Sequence, residues 1–86
     1  MVLRWPLTNR EKAWIVIKEM DNEWVTSREL ASLAGISVAQ MTNFLKIAKK
    51  MGIVEHKQGK IRHWTGFQIT VGLWRKIRDF NIDEVI

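Results

Sequence analysis

Thr26-Ser27-Arg28-Glu29-Leu30-Ala31-Ser32-Leu33-Ala34-Gly35-Ile36-Ser37-Val38-Ala39-Gln40-Met41-Thr42-Asn43-Phe44-Leu45-Lys46 decides the fold. It contains two helix starts with a helix stop between them. Thr26-Ser27-Arg28-Glu29 has the form of a capping box, in which a hydroxyl accepts from the first turn and a carboxylate reaches back to the cap. Leu30, Leu33 and Ala34 give the short helix its apolar side, and Gly35 stands where a left-handed C-terminal residue is wanted. Ser37-Val38-Ala39-Gln40 is a second box, of the Ser-x-x-Gln form. The helix it opens has the apolar stripe Met41, Leu45, Ala48 and either Met51 or Ile47, and Gly52 ends it.

Upstream, Thr8-Asn9-Arg10-Glu11 is a further capping box, and Ala13, Trp14, Ile17 and Met20 follow at helical spacing. This predicts a first helix from about Asn9 to Met20, then a loop at Asp21-Asn22-Glu23 and a possible short strand at Trp24-Val25. Downstream of Gly52 the period changes. Ile53 to Lys57 and Ile61 to Trp64 are β-prone runs separated by Gln58-Gly59-Lys60, which reads as a hairpin turn. With Gln58-Gly59 as the turn, Glu55 lies opposite Arg62 and Ile53 opposite Trp64. Phe67 to Val71 extends the strand or begins the next helix. Leu73, Trp74, Ile77 and Phe80 have helical spacing and predict a helix by the early seventies. The expected fold is mainly α with a small β-hairpin: three-helix core, two-stranded wing and C-terminal helix.

The order of elements and the quoted stretch resemble the winged helix-turn-helix DNA-binding family of bacteria, archaea and phages. A "T-x-x-E-L-A-x-x-x-G-(I/L)-S" segment before the recognition helix is matched by Thr26 to Ser37. The "G-(I/L)-V" step into the wing is matched by Gly52-Ile53-Val54. The resemblance covers about Thr8 to Trp64; members usually end the second wing strand in aromatic-x-Leu-Thr, where this chain has His63-Trp64-Thr65-Gly66. It implies one domain over residues 1–86, with an arm at 1–7, the helix-turn-helix core and wing at 8–64, and a C-terminal helical segment at 65–86.

Charge fits that expectation. The chain has 86 residues and a formal charge of +5. Residues 1–36 and 65–86 are each neutral overall, so the excess lies at Lys46, Lys49, Lys50, Lys57, Lys60 and Arg62, opposed only by Glu55. Basic charge concentrated between neutral segments suits a polyanion, because each neutralised phosphate releases counterions. A solvated lysine face is the plain alternative reading.

In the family the second helix of the motif enters the major groove, and the wing follows the backbone or the adjacent minor groove. Carried onto this chain, the base contacts are Ala39, Gln40, Thr42 and Asn43. Gln40 and Asn43 can each bind adenine through two hydrogen bonds, and Ala39 and the Thr42 methyl can meet thymine methyls. The helix has no arginine, which removes the commonest guanine contact. Backbone contacts fall to Ser27, Arg28, Ser37, Lys46, Lys49 and Lys50, and wing contacts to Lys57, Gly59, Lys60 and Arg62. Gly59 lets the wing tip turn, and Arg62 either reaches DNA or pairs with Glu55.

Other functions are poorly supplied. The lack of cysteine removes disulfides, Cys-based zinc sites and thiol nucleophiles. His56 and His63, near each other across the expected hairpin, lack a third ligand, so no metal and no cofactor is expected. No phosphate loop and no activated nucleophile occurs, and an enzyme is not expected. With no apolar run of about 18 residues and no signal segment, the expectation is a cytoplasmic protein, nucleoid-associated if bacterial or archaeal, without a membrane partner. Trp14, Trp24, Trp64 and Trp74 are read as core, while Trp5 in the arm either covers the core or packs on a second subunit. The surplus of apolar residues among Leu73, Trp74, Ile77, Phe80, Ile82, Val85 and Ile86 suggests a homodimer through the terminal segments.

The expected function is double-stranded DNA binding, most simply by a small transcriptional regulator. The alternatives are a phage or plasmid replication, partition or excision accessory factor, and a winged-helix module that binds a protein partner. RNA or single-strand binding ranks lower because no exposed aromatics are evident in sequence on the basic face.

Overall fold

The computed structural model describes residues 6–62 and 64–86. Trp5 and His63, and with them the expected proximity of His56 and His63, lie outside the described residues. The elements run α1 (Asn9–Glu19), β1 (Val25–Thr26), α2 (Ser27–Ala34), α3 (Val38–Lys50), β2 (Val54–Arg62), β3 (Gln68–Lys76) and a 3-10 turn at Ile82–Glu84.

The helix starts follow their caps. Thr8 Oγ1 accepts from the backbone N–H of Glu11, and Glu11 Oε1 accepts from both the backbone and the hydroxyl of Thr8. Thr26 accepts from Glu29 N–H at the start of α2. Gly35 closes that helix at φ +74, with its N–H and that of Ile36 both donated to Ala31 O. A side chain at this φ would meet its own carbonyl, so glycine makes the sharp turn between the two helices. Ser37 Oγ then accepts from Gln40 N–H. Only this half of the expected Ser-x-x-Gln box forms, because the Gln40 side chain is engaged elsewhere.

The core fills between the three helices and the base of the sheet. Trp14, Ile17, Met41, Leu45, Ala48, Ile53 and Val54 are almost wholly buried. Trp14 meets Phe44 and Phe80 edge to face at 6.2 and 5.9 Å, an arrangement favoured by the ring quadrupoles. The α3 stripe takes in Met41, Leu45 and Ala48, but Ile47 and Met51 both remain on the surface.

The architecture is α+β, which corrects the expectation of a mainly α fold with a two-stranded wing and a C-terminal helix. Three antiparallel strands form one sheet in the order β1-β3-β2. Residues expected to turn at Gln58-Gly59-Lys60 instead lie inside β2, opposite Gly72, Val71 and Thr70. The expected C-terminal helix is absent: Leu73 and Trp74 belong to β3, where they pair with both β2 and β1. Phe80 and Val85 reach the core from an irregular segment and the 3-10 turn. Glu55 accordingly faces Arg75 rather than Arg62, and Ile53 lies before β2, accepting from the backbone of Ile77 and Arg78.

Two contacts fix the sheet on the helices. Lys76 donates from its backbone to Asp21 O and from Nζ to Lys18 O, tying the end of β3 to the end of α1. Trp74, 4% exposed, belongs to the core cluster, and its ring centre lies 4.3 Å from that of His56 with the planes tilted by 43°. Beyond this base the hairpin projects. From Lys57 to Gly72 no described residue is buried, and the molecule measures 47 × 26 × 18 Å.

Candidate nucleic-acid interface

The exposed side of α3 follows from the helix period. With Met41, Leu45 and Ala48 inward, Ala39, Gln40, Asn43, Lys46, Lys49 and Lys50 are exposed and Thr42 is half-buried. Two of the expected base readers already have partners. Gln40 Oε1 accepts from Asn9 Nδ2 at 3.2 Å, which leaves its amide N–H donors and one carbonyl lone pair for a ligand. Thr42 Oγ1 donates to Val38 O at 2.8 Å, which leaves its methyl and a lone pair for a ligand. Among the described residues, Asn43 has no hydrogen bond from its side chain.

Of the expected backbone contacts, Arg28 and Ser37 are exposed and Ser27 is half-buried. Thr26, not Ser27, caps α2. Lys49 and Lys50 fall in the last turn of α3, where they also favour the negative end of the helix dipole.

The hairpin carries the remaining basic residues along a strand. Lys57, Lys60 and Arg62 are exposed on β2, with Arg62 in the pair closest to the connecting turn, opposite Gln68. Gly59 does not turn the chain. A Cβ there would come within 2.4 Å of Leu73 Cδ1, so the glycine leaves room for Leu73 to lie across β2. β2 runs on to Arg62 and β3 begins at Gln68, and Gly66 between them has φ +94.

No carboxylate occurs between Glu29 and Glu55 or between Glu55 and Asp79. Both flanking acids of the hairpin are engaged. Arg75 Nε donates to Glu55, and Asp79 accepts from Lys18 Nζ at 2.9 Å with Lys76 Nζ at 3.5 Å. The Lys18 hydrogen bond, followed by the Phe80 backbone N–H, holds the Asp79 carboxyl down to about 2. Lys57 Nζ lies 4.3 Å and the Arg75 guanidinium 4.6 Å from the Trp24 ring centre, so this half-buried indole gathers two cations. Among the described residues, Lys46, Lys49, Lys50, Lys60 and Arg62 make no ion pair. The carboxylates Glu19, Asp21 and Glu23 line a separate groove of about 350 Å³ with Ile15, Val16, Leu30 and Leu33, which includes none of the expected DNA contacts.

Sequence reading missed one feature of this surface. Trp64, expected in the core, is 89% exposed, and Phe67 is 75% exposed; both lie in the turn of the hairpin. Thr65-Gly66 was the available signal, being a turn dipeptide between two β-prone runs. Conversely, Trp74, Phe80 and Val85, which suggested a surplus for dimerisation, are buried within the protomer, and Ile77 and Ile86 are left outside.

No group of three or more metal-ligating side chains occurs among the described residues, and no helix among them is long and apolar enough to cross a membrane. Comparison with protein-family models, curated proteins and solved structures finds no match to this chain.

Proposed function

We propose that this chain is a double-stranded DNA-binding protein of winged-helix type, with α3 in the major groove and the β2–β3 hairpin on the neighbouring backbone or minor groove. One observation carries the reading. A helix with the uncharged polar residues Gln40, Thr42 and Asn43 near its start and Lys46, Lys49 and Lys50 near its end leads through Gly52 into a basic hairpin, and the joined stretch holds the single acid Glu55, already paired with Arg75. The division suits DNA: lysines supply affinity and orientation by phosphate contact, and the uncharged amides supply discrimination at base edges. Ser27, Arg28 and Ser37 add phosphate contacts at helix starts.

The simplest biological role is a small transcriptional regulator that acts by occupying its site, in the cytoplasm and on the nucleoid. Replication, partition or excision accessory roles use the same contacts. For a dimer through the terminal segments, Ile77 and Ile86 are what remains outside of the C-terminal apolar set. Sedimentation equilibrium at tens of micromolar decides it: a dimer mass supports paired half-sites, and a monomer mass removes them.

Selection from a random-sequence duplex pool tests the main reading. Enrichment of one motif supports it. Gln40→Ala and Asn43→Ala should then weaken binding to that motif by about tenfold or more each, with little change on unrelated duplex. Failure to enrich any motif, with binding to acidic protein retained, turns the assignment to a protein-interaction module.

A further inference from the structure

We propose that Trp64 and Phe67, at the turn of the hairpin, insert between base pairs from the minor groove and kink the duplex. The inference rests on the DNA-binding reading above and adds a mechanism to it. An indole 89% exposed and, three residues further on, a phenyl ring 75% exposed leave two large apolar side chains in water at the end of the projecting hairpin. Its neighbours select the ligand. Lys60 and Arg62 precede the turn, Gln68 and Thr70 follow it, and no acid occurs from residue 56 to 78. An aromatic tip on a cationic stem is complementary to a stacked, anionic duplex.

The dimensions point the same way. From Lys57 to Arg62 the paired strands extend for about 17 Å at ~3.3 Å per residue. A two-stranded ribbon fits the major groove, but the minor groove of B-form DNA, about 6 Å wide, must be opened to admit one. Apolar wedges do this by unstacking a base step and bending the helix away. Trp64 and Phe67 supply such a wedge. Behind them Ile61 and Ile69 face each other across the strands, 48% and 40% exposed, and extend the apolar surface toward sugars in a widened groove. Gly66, between the two aromatic residues in sequence, has the left-handed φ of +94 that glycine permits.

Unstacking is easiest at pyrimidine–purine steps and hardest in A-tracts. The test uses the full chain with two duplexes about 30 base pairs long, roughly three helical turns. One has central TA steps and the other a central A-tract, each labelled at both ends for energy transfer. The TA duplex should bind several-fold more tightly and bend by about 20–90° on binding. The double variant Trp64→Ala/Phe67→Ala alters exposed side chains only and should fold as the parent does by circular dichroism. It should lose the TA preference and most of the bend, with affinity for the TA duplex down about tenfold. Equal bending by parent and variant overturns the insertion while leaving DNA binding intact. Stronger binding of both proteins to a single-stranded oligonucleotide than to either duplex also overturns it, and absence of binding to either duplex overturns it together with the reading on which it rests.

Discussion

Arg75 donates to Glu55 across the β2–β3 pair while its guanidinium lies 4.6 Å from the Trp24 ring, so the one acid of the basic region is neutralised at the base of the hairpin. Arg62, seven residues further along β2, is thereby left unpaired near the turn. Different losses follow for the two arginine sites. Arg62→Ala should leave the thermal midpoint unchanged and reduce duplex affinity several-fold at low salt, since a charge-assisted phosphate contact disappears. Glu55→Gln should cost less than about 1 kcal/mol of stability, because the pair is partly exposed, and should not weaken DNA binding. A midpoint that drops with Arg62→Ala at unchanged affinity would reverse the two roles.

Gly35 provides a second test, of the turn that sets α3 against α2. At φ +74 an alanine pays the left-handed penalty, roughly 1–2 kcal/mol. No heavy atom stands within 4 Å of the added Cβ, so the loss comes from backbone conformation alone. Urea unfolding of Gly35→Ala should show a lower midpoint at unchanged slope, and Gly35→Asn should recover part of the loss. An unchanged midpoint for alanine would refute the left-handed turn.

These caps and the turn were legible in sequence because their causes are local. Thr8, Thr26, Ser37 and Gly35 each satisfy or terminate backbone groups within a few residues, and all four act at the expected positions. The hairpin was misread because its causes are not local. Leu73, Trp74, Ile77 and Phe80 recur at helical spacing, yet Trp74 is held by pairing with His56 and Val25, far away in sequence. Burial of Trp74 and Phe80 from an extended chain meets the same apolar demand that a helix would. The β-branched run Ile69-Thr70-Val71 was the contrary signal. Gly59 imitated a turn residue while serving as the gap under Leu73. The candidate helix surface survived the error, since its exposed positions depend only on the period of α3, whereas the aromatic turn became visible only with the register.

Asp79 gives the pH dependence. Its carboxyl is held near 2 in the folded chain against an ordinary 3.8, through the Lys18 hydrogen bond first and the Phe80 N–H second. A depressed folded value means that the contribution is fully present above the unfolded value and fades as pH falls from about 4 toward 2. A carbon-detected NMR titration should find Asp79 titrating near 2, and Lys18→Met should move it up toward 3.8. A wild-type value near 3.8 would show that the contact between the end of α1 and the segment after β3 does not persist in solution.

Salt dependence provides the count of phosphates that the lysines touch. Lys46, Lys49 and Lys50 have no acid partner, so each that meets a phosphate should add about 0.9 to the slope of log affinity against log salt. Lysines that only compensate the helix dipole should add nothing to that slope and should instead lower helix stability when removed, by up to about 1 kcal/mol each. The two roles separate in one series: Lys46→Gln, Lys49→Gln and Lys50→Gln, each measured by fluorescence anisotropy from about 50 to 200 mM salt and by thermal melting. A phosphate role predicts a slope shallower by nearly one unit per substitution, with the loss equal on specific and unrelated duplex. Gln40→Ala predicts the opposite pattern, with an unchanged slope and a loss confined to the specific site. Parallel slopes across all three lysine variants would leave α3 without its backbone contacts and return its positive end to the helix dipole.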